Sequence, residues 1–376
     1  MTNIDKAALV RALSIRDLTD ETEGPHAIQL VIERVVGALA RRWSVPVRVV
    51  RASPITTATD NYDALGYAPD GAARDARYTR WIGDGVLLRT QTSALVPAAL
   101  RALAVEPDPP SDVLLVCPGI VYRRDQIDRL HTGEPHQLDL WRLRRASPLD
   151  VAALEEMIAT AASAALPGRA WRGAPATHPY TTDGRQIDVA SRDGGAWIEV
   201  GECGVAAGPV LARAGLGGWS GLAMGLGLDR IVMIEKAIDD IRLLRSADPR
   251  IAPQMLDLAP YRTVSAMPAT RRDLSLALSG PVDAEIIGDR VRTALGTGAD
   301  VVESVEVVHD VAGESLPPVA AERLGLSPGQ RNVLLRLVLR AHDRTLTAVE
   351  ASRLRDRVYG ALHEGTRHFW ALGEPP

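Results

Sequence analysis

Residues 122–140 read YRRDQIDRLHTGEPHQLDL, and residues 221–230 read GLAMGLGLDR. Apolar runs at Val113–Val116 and Ile120–Tyr122 lead into the first stretch, so Arg123 stands at the end of a strand, ahead of a polar loop and a second strand. The second stretch is a Gly-rich strand running directly into a helix, which puts Arg230 on the first helical turn. Two guanidiniums fixed on separate rigid elements suit the opposite ends of a polyphosphate, because the planar fork bonds phosphate oxygens bidentately and stays charged. Taken singly, each arginine reads better as a surface ion-pair partner; their context reverses that reading.

The chain has 376 residues, 46% hydrophobic and 24% charged, enough for two domains of an ordinary soluble protein. No apolar run approaches membrane-spanning length, and MTNIDKAALV lacks the basic and apolar regions of a signal peptide, so no membrane partner and a cytoplasmic location are expected. Cys117 and Cys203 are the only cysteines and form neither a metal-ligand nor a disulfide pattern. A formal charge of −4 leaves no global footprint for DNA or RNA; any RNA contact must come from a local patch. Lysine occurs only at Lys6 and Lys236, so arginine is the phosphate binder available. No G-x-x-x-x-G-K-[ST] and no strand-linked G-x-G-x-x-G occurs, which disfavours Walker-type and dinucleotide sites.

Apolar positions at helical spacing predict a helix from Pro25 to Arg42, and Val47–Val50 reads as a short strand. A loop follows over Asp60–Arg77, then a short strand in VLLRTQTSALVPAALRAL and a helix starting near Ser93, an N-cap type residue. Leu149–Leu166 reads as a helix, Gln186–Ala190 and Ala196–Val200 as strands. The mixture predicts an α+β domain built on an antiparallel sheet with flanking helices over residues 1–258. Beyond residue 262 the pattern is β-α-β-β-α-β, with a last short segment near Leu372, the order of a ferredoxin-like domain over 262–376.

Several stretches occur in the order seen in one known family. NYDALGYAPDGAARD, LLRTQTS, DQIDRLHTGEPHQLD, WIEVGECG, GLAMGLGLDR and DIRLLRSADPRI resemble, in turn, the segments of the class II aminoacyl-tRNA synthetases, and of the phenylalanyl-tRNA synthetases in particular. PATRRDLSLAL through HDRTLTAVEASRLRDRVYGAL is similar to the ferredoxin-fold anticodon-binding module of that family. The arrangement resembles the single-chain organellar form, without the large second subunit or the N-terminal coiled coil of the bacterial enzyme.

The resemblance implies ATP and Mg²⁺ as cofactors, and an amino acid and tRNA as partners. It assigns Arg123 to the α-phosphate and the carboxylate, Arg230 to the γ-phosphate, Glu199 to Mg²⁺ and His131 to phosphate contacts from the motif 2 loop. Gln137 and Asp139, at i and i+2 on one strand face, would lie by the substrate's amino and carboxylate groups together with Ser93. Asp125 replaces a family acid two residues past the arginine, and Pro135 replaces the aromatic that stacks on adenine. Ala223 and Gly225 retain the small residues that leave room for a ring.

Other departures concern selectivity. The family's F-P-F segment is His178-Pro179-Tyr180 here, Gln91 stands where the family has histidine, and Arg77 and Tyr78 disrupt the residues after ARD. The only phenylalanine is Phe369. A polar rim rejects a substrate lacking the matching group far more sharply than apolar fit does, so the generic amino-acid handle is expected to survive while the side-chain pocket changes; the alternative is that His178 and Tyr180 fill the same volume and phenylalanine still binds. Arg271, Arg272, Arg340 and Arg344, with Tyr359 and Trp370, form the candidate tRNA surface, or a solvated basic face. Three functions stay open: a ligase that charges tRNA, a paralogue that activates an amino acid for a carrier protein or biosynthetic acceptor, and a non-catalytic RNA-binding relative. A homodimer or a monomer is expected from the class.

Overall fold

The computed structural model describes residues 3–71, 74–75, 78–145, 147–192, 194–264 and 267–368. Arg77, Phe369, Trp370 and the last segment near Leu372 lie outside them. The chain divides into two compact units. The first comprises residues 1–123, 134–239 and 253–261, the second 124–133, 240–252 and 262–376. The expected division near 258–262 assigns residues 124–133 and 240–252 to the first domain, whereas they pack with the C-terminal unit, so the chain changes unit five times.

In chain order the first unit contains α1 (Lys6–Leu13), α2 (Ala27–Trp43), β1 (Val47–Val49), β2 (Ile55–Thr57), α3 (Ala58–Asn61), β3 (Trp81–Gly83), β4 (Val86–Leu88) and α4 (Val96–Ala104). It continues with β5 (Asp112–Ile120), β6 (His136–Arg144), α5 (Val151–Ala165), β7 (Trp171–Pro175), β8 (Thr181–Ala190), β9 (Trp197–Ala206), α6 (Gly208–Arg213), β10 (Ser220–Gly227) and α7 (Leu228–Lys236). Seven strands form one sheet in the order β1-β5-β6-β10-β9-β8-β7. Only β1 and β5 pair in parallel; every other neighbour is antiparallel. The first unit is thus an α+β domain on a mainly antiparallel sheet. β2, β4 and β3 make a separate small antiparallel sheet.

Local chemistry explains the helix ends. His26 caps α2, its Nδ1 accepting the Ile28 N–H at 3.1 Å, while Gln29 Oε1 accepts the His26 N–H at 3.2 Å. Ile28, Val31, Val35 and Leu39 then bury one stripe. The helix expected near Ser93 starts later: Thr92–Leu95 is a 3₁₀ turn and α4 begins at Val96, with Pro97 in its first turn. Ser93 is not a cap, because its hydroxyl is committed to Asp139. β7 had no clear signal, since Trp171–Pro175 alternates weakly and ends in proline.

Side chains of β5 and β6 alternate between the two faces. Val113, Leu115 and Cys117 of β5, Trp141 and Leu143 of β6, and Ala223 of β10 form one core with α4 and α6. At about 25 cal/mol per Å² of apolar surface removed from water, this layer fixes which face Gln137 and Asp139 must share.

The second unit holds β11 (Thr270–Ser279), α8 (Ala284–Leu295), β12 (Val302–Ala312), α9 (Pro318–Leu324), β13 (Gln330–Leu339) and α10 (Ala348–Leu362). Its sheet is antiparallel, in the order β11-β13-β12. Leu274, Leu276, Leu335 and Leu337 pack against Val291 and Leu295 of α8 and Val358 and Leu362 of α10. Thr347 and Glu350 close a reciprocal capping box at the start of α10. The fourth strand expected near Leu372 falls outside the described residues. Among the described residues no helix is long and apolar enough to cross a membrane.

Candidate active site

Arg123 leaves the end of β5 under tight backbone control. The Tyr122 N–H donates to the Arg89 carbonyl at 2.9 Å. Arg89, 3% exposed, returns its Nε–H to the Ile120 carbonyl at 2.8 Å and Nη1–H to Ala52 at 3.1 Å. A Cβ on Gly119 would lie 2.2 Å from Arg89 Nη2, so only glycine admits this buried guanidinium beside the strand. Arg123 then donates its own Nε–H to the Thr90 carbonyl at 2.7 Å.

Arg230 occupies the third position of α7, which enters from β10 without a side-chain cap. Its Nη1 donates to the Glu199 carbonyl at 3.1 Å. A helix N-terminus offers N–H groups and partial positive charge to an anion. The neighbouring Asp229, 4% exposed, accepts both the backbone N–H and the Nδ1–H of the fully buried His136, the latter at 2.9 Å. His136 Nε2 accepts the Leu18 N–H at 3.2 Å, which puts the imidazole proton on Nδ1. This buried pair ties the first turn of α7 to the start of β6. Sequence reading missed it, although His136 and Asp229 lie inside the two diagnostic stretches.

β5 and β10 both run antiparallel to β6, so they run parallel to each other and end at the same sheet edge. Ile120 lies opposite His136, and Gly227 opposite Gln137. With neighbouring strands about 4.8 Å apart, the two arginine-bearing ends are separated by roughly 10 Å across β6. Among the described residues neither guanidinium forms an ion pair with a carboxylate; each makes one bond to a backbone carbonyl. That geometry holds the two charges in place and, among the described residues, leaves both terminal nitrogens of Arg123 and Nη2 of Arg230 for a ligand.

Glu199 lies on β9, where the ladder to β8 skips Val200: Ile187 opposes Gly201 and Asp188 opposes Glu199. The bulge changes the alternation, and Glu199 comes within electrostatic range of Glu202. Burial and then Glu202 raise the Glu199 carboxyl above the usual carboxylate range, against the pull of Arg230. Among the described residues no cluster of three or more His, Cys, Asp or Glu is arranged to hold a metal. Mg²⁺ is commonly held by one or two carboxylates plus phosphate oxygens and needs no such cluster; two adjacent acids, one resisting ionisation, fit that mode.

On the other side of β6, Asp139 is 3% exposed and accepts from Thr92 Oγ1 and Ser93 Oγ at 2.9 Å each and from Trp141 Nε1 at 3.3 Å. Burial pushes its carboxyl up to about 6, although these bonds and the Arg123 charge act to lower it. Gln137 accepts the Thr92 N–H at 3.3 Å. Gln91 accepts from the Tyr67 hydroxyl at 3.0 Å and donates to the Asn61 carbonyl at 2.9 Å. His178 Nε2 lies 2.7 Å from Glu202, and the His178 and Tyr180 rings are 5.9 Å apart. The Tyr180 hydroxyl is enclosed, and burial raises its pKa well above the usual phenol value. Ala223 and Gly225 oppose Trp141 and Asp139 on β6. Thr92, Tyr67, Trp141 and Glu202 join this group without having been singled out from sequence.

Asp125 and His131 are not brought to this unit. Arg292 donates to the Asp125 and Gln126 carbonyls, Ile127 sits in the C-terminal core, and His131 Nδ1 pairs with Asp128 at 2.8 Å. The spacing of the polar loop gave no sign of this packing. Pro135 stays in the first unit, its carbonyl accepting the Val121 N–H at 2.9 Å. In the C-terminal unit Arg340 pairs with Glu303, Arg344 with Glu350 at 2.9 Å, and Arg272 donates to the Arg271 carbonyl at 2.8 Å.

Residues 13–255 match the family model described as tRNA synthetases class II core domain (F). The alpha subunit of phenylalanine–tRNA ligase from Prochlorococcus marinus (strain MIT 9313) is 35% identical over 231 residues, 61% of this chain and 65% of that protein. The corresponding subunit from Synechocystis sp. (strain ATCC 27184 / PCC 6803 / Kazusa) is 30% identical over 263 residues, 67% of this chain and 75% of that protein. The chain thus spans about 65% of the length of the first of these relatives. A pyrrolysyl-tRNA synthetase from Desulfitobacterium hafniense aligns with a TM-score of 0.45 at 18% identity, covering 68% of this chain and 81% of that one, a likeness too distant to add to the family match. With that match covering more than half its length, the chain belongs to the class II tRNA synthetase core family of the (F) type.

Proposed function

We propose that the chain is an aminoacyl-tRNA ligase that activates an amino acid with ATP and passes the acyl group to tRNA, using a phenylalanyl-type frame with an altered side-chain pocket. A substrate carboxylate oxygen attacks the α-phosphorus of ATP, the bond to the β-phosphate oxygen breaks, and pyrophosphate leaves. A ribose hydroxyl then attacks the acyl carbonyl and AMP leaves. Both steps rest on positioning and charge neutralisation. Arg123 takes the α-phosphate and carboxylate, and Arg230 the γ-phosphate. Asp139, Ser93 and Gln137 receive the substrate ammonium, with Gly225 leaving space beside them. Glu199 would hold Mg²⁺, which would supply neutralisation of phosphate charge. His178, Tyr180 and Gln91 form a polar rim that no longer suits phenylalanine. The observation that carries the reading is the pair of guanidiniums at one end of the sheet, each held by a backbone carbonyl and, among the described residues, neither engaged by a carboxylate.

The β11-β13-β12 order with the long helices α8 and α10 supports a ferredoxin-like reading of residues 262–376 as an anticodon-binding module, the synthetase core lying in 1–258. A second acceptor class is favoured by a different observation. Arg272, Arg340 and Arg344 are each engaged within their own unit, which weakens the proposed tRNA surface to Arg271 and its neighbours. Amino-acid-dependent ATP–pyrophosphate exchange tests activation, and transfer of radiolabelled amino acid to tRNA tests the acceptor. Exchange without transfer selects the carrier-protein or biosynthetic acceptor; no exchange with any amino acid rejects both.

A further inference from the structure

Gln137, Asp139 and Trp141 follow one another at every second residue on β6 and face the same side. The first two are the polar handle described above; the third closes the same face. Trp141 is fully buried, and its indole N–H donates to Asp139 at 3.3 Å. Tyr180 stacks on it, ring centroids 6.0 Å apart and planes 27° apart. Ala223, the β10 residue opposite Trp141, is 1% exposed and lies in the same packed cluster. Along this face Gln137 and Gly225 stay partly exposed while Asp139, Trp141 and Ala223 are buried, and a Cβ added at Gly225, opposite Asp139, would lie 3.6 Å from the carboxylate.

The spacing sets a limit on what fits. Two residues along a strand advance roughly 6.8 Å. Carbon atoms on the substrate must stay about 3.5–4 Å from the indole. Because the indole nitrogen itself leans to within 3.3 Å of Asp139, at most about 3 Å remains beyond an α-carbon whose ammonium is held at that carboxylate, room for a side chain of no more than roughly two heavy atoms. A phenyl ring placed there overlaps the Trp141–Tyr180 stack.

Resting on the activation reading, we infer that the site is foreshortened and takes an amino acid with a very small side chain, of the glycine, alanine, serine or cysteine class, with Trp141 and Tyr180 as the residues that set the length. The inference is specific to the depth of the site and is independent of which acceptor receives the acyl group.

The test is ATP–pyrophosphate exchange on the full chain with glycine, alanine, serine, cysteine, phenylalanine and tyrosine, repeated on Trp141→Ala, Trp141→Leu and Tyr180→Ala. The wild-type protein is expected to prefer at least one small amino acid over phenylalanine by 100-fold or more in kcat/KM. Trimming the stack should narrow that ratio at least tenfold. Should Trp141→Ala fail to fold, the leucine and Tyr180 variants carry the same comparison. Phenylalanine as the best wild-type substrate overturns the inference while leaving activation intact. A ratio unchanged in every folded variant overturns the role of the stack. Exchange with none of a full set of amino acids overturns both the activation reading and the inference built on it.

Discussion

Replacing Asp139 with asparagine should stabilise the protein and disable it. The buried carboxyl titrates at about 6, against an ordinary value of 3.8, chiefly because burial opposes its charge. The native state therefore keeps a proton that the unfolded chain releases between about pH 4 and 6, so stability falls as pH rises through that window and the penalty is constant above it. At 1.36 kcal/mol per unit, a shift of about two units amounts to roughly 3 kcal/mol at neutral pH. Asparagine removes that penalty; the bonds from Thr92, Ser93 and Trp141 favour the ionised carboxyl and are already contained in the net shift. The net gain expected is therefore about 3 kcal/mol at pH 7.5 and under about 1 kcal/mol at pH 4, where wild-type Asp139 is protonated in the folded state. Urea denaturation of both proteins at the two pH values isolates this one group. Amino-acid-dependent exchange should drop by about 10- to 150-fold, the loss of a hydrogen bond to a charged ammonium. An equal stability change at both pH values, or a loss at pH 7.5, refutes the reasoning.

Three further outcomes follow from the same geometry. His136→Ala leaves the buried Asp229 carboxylate without its imidazole donor and should cost about 1–3 kcal/mol in denaturant stability, with a raised KM for ATP because Arg230 is the next residue. Glu202→Gln should lower the Glu199 pKa, since Glu202 is the second cause of its elevation; a carboxyl NMR titration reads this directly, and an unchanged Glu199 titration argues against the bulge-made pair. If tRNA binds the C-terminal unit, Arg271→Ala should reduce the salt dependence of binding by about one unit of slope, whereas Arg344→Ala, already paired with Glu350, should change it little; filter binding across a salt series distinguishes them.

The main strands, the long helices and both arginines were legible from the sequence, because periodicity and the Gly-rich strand-to-helix turn are local signals. Gln137 and Asp139 were placed on one face by spacing alone. Trp141 was not singled out, because an indole in a strand reads as core until Tyr180, 39 positions away, is seen stacked on it. The His136–Asp229 pair spans 93 positions, and the Glu199–Glu202 proximity depends on a bulge that breaks the simple two-residue alternation. Ser93 looked like a helix cap because its type favours one; a carboxylate from another strand took its hydroxyl instead. The packing of Asp125 and His131 with the C-terminal unit follows from Ile127, a buried apolar residue in a polar loop that joins that unit's core, whereas Leu130 of the same loop is exposed.

ATP affinity measured by titration calorimetry on the wild type, Arg123→Ala and Arg230→Ala, with exchange rates on the same samples, bears most directly on the polyphosphate grip. Each substitution should cost about 2–4 kcal/mol of transition-state stabilisation, a loss of roughly 30- to 1000-fold in exchange. The folded state should hardly change, because neither arginine holds an ion pair among the described residues. Wild-type protein that binds no ATP, or variants that bind and exchange as wild type does, would contradict the account.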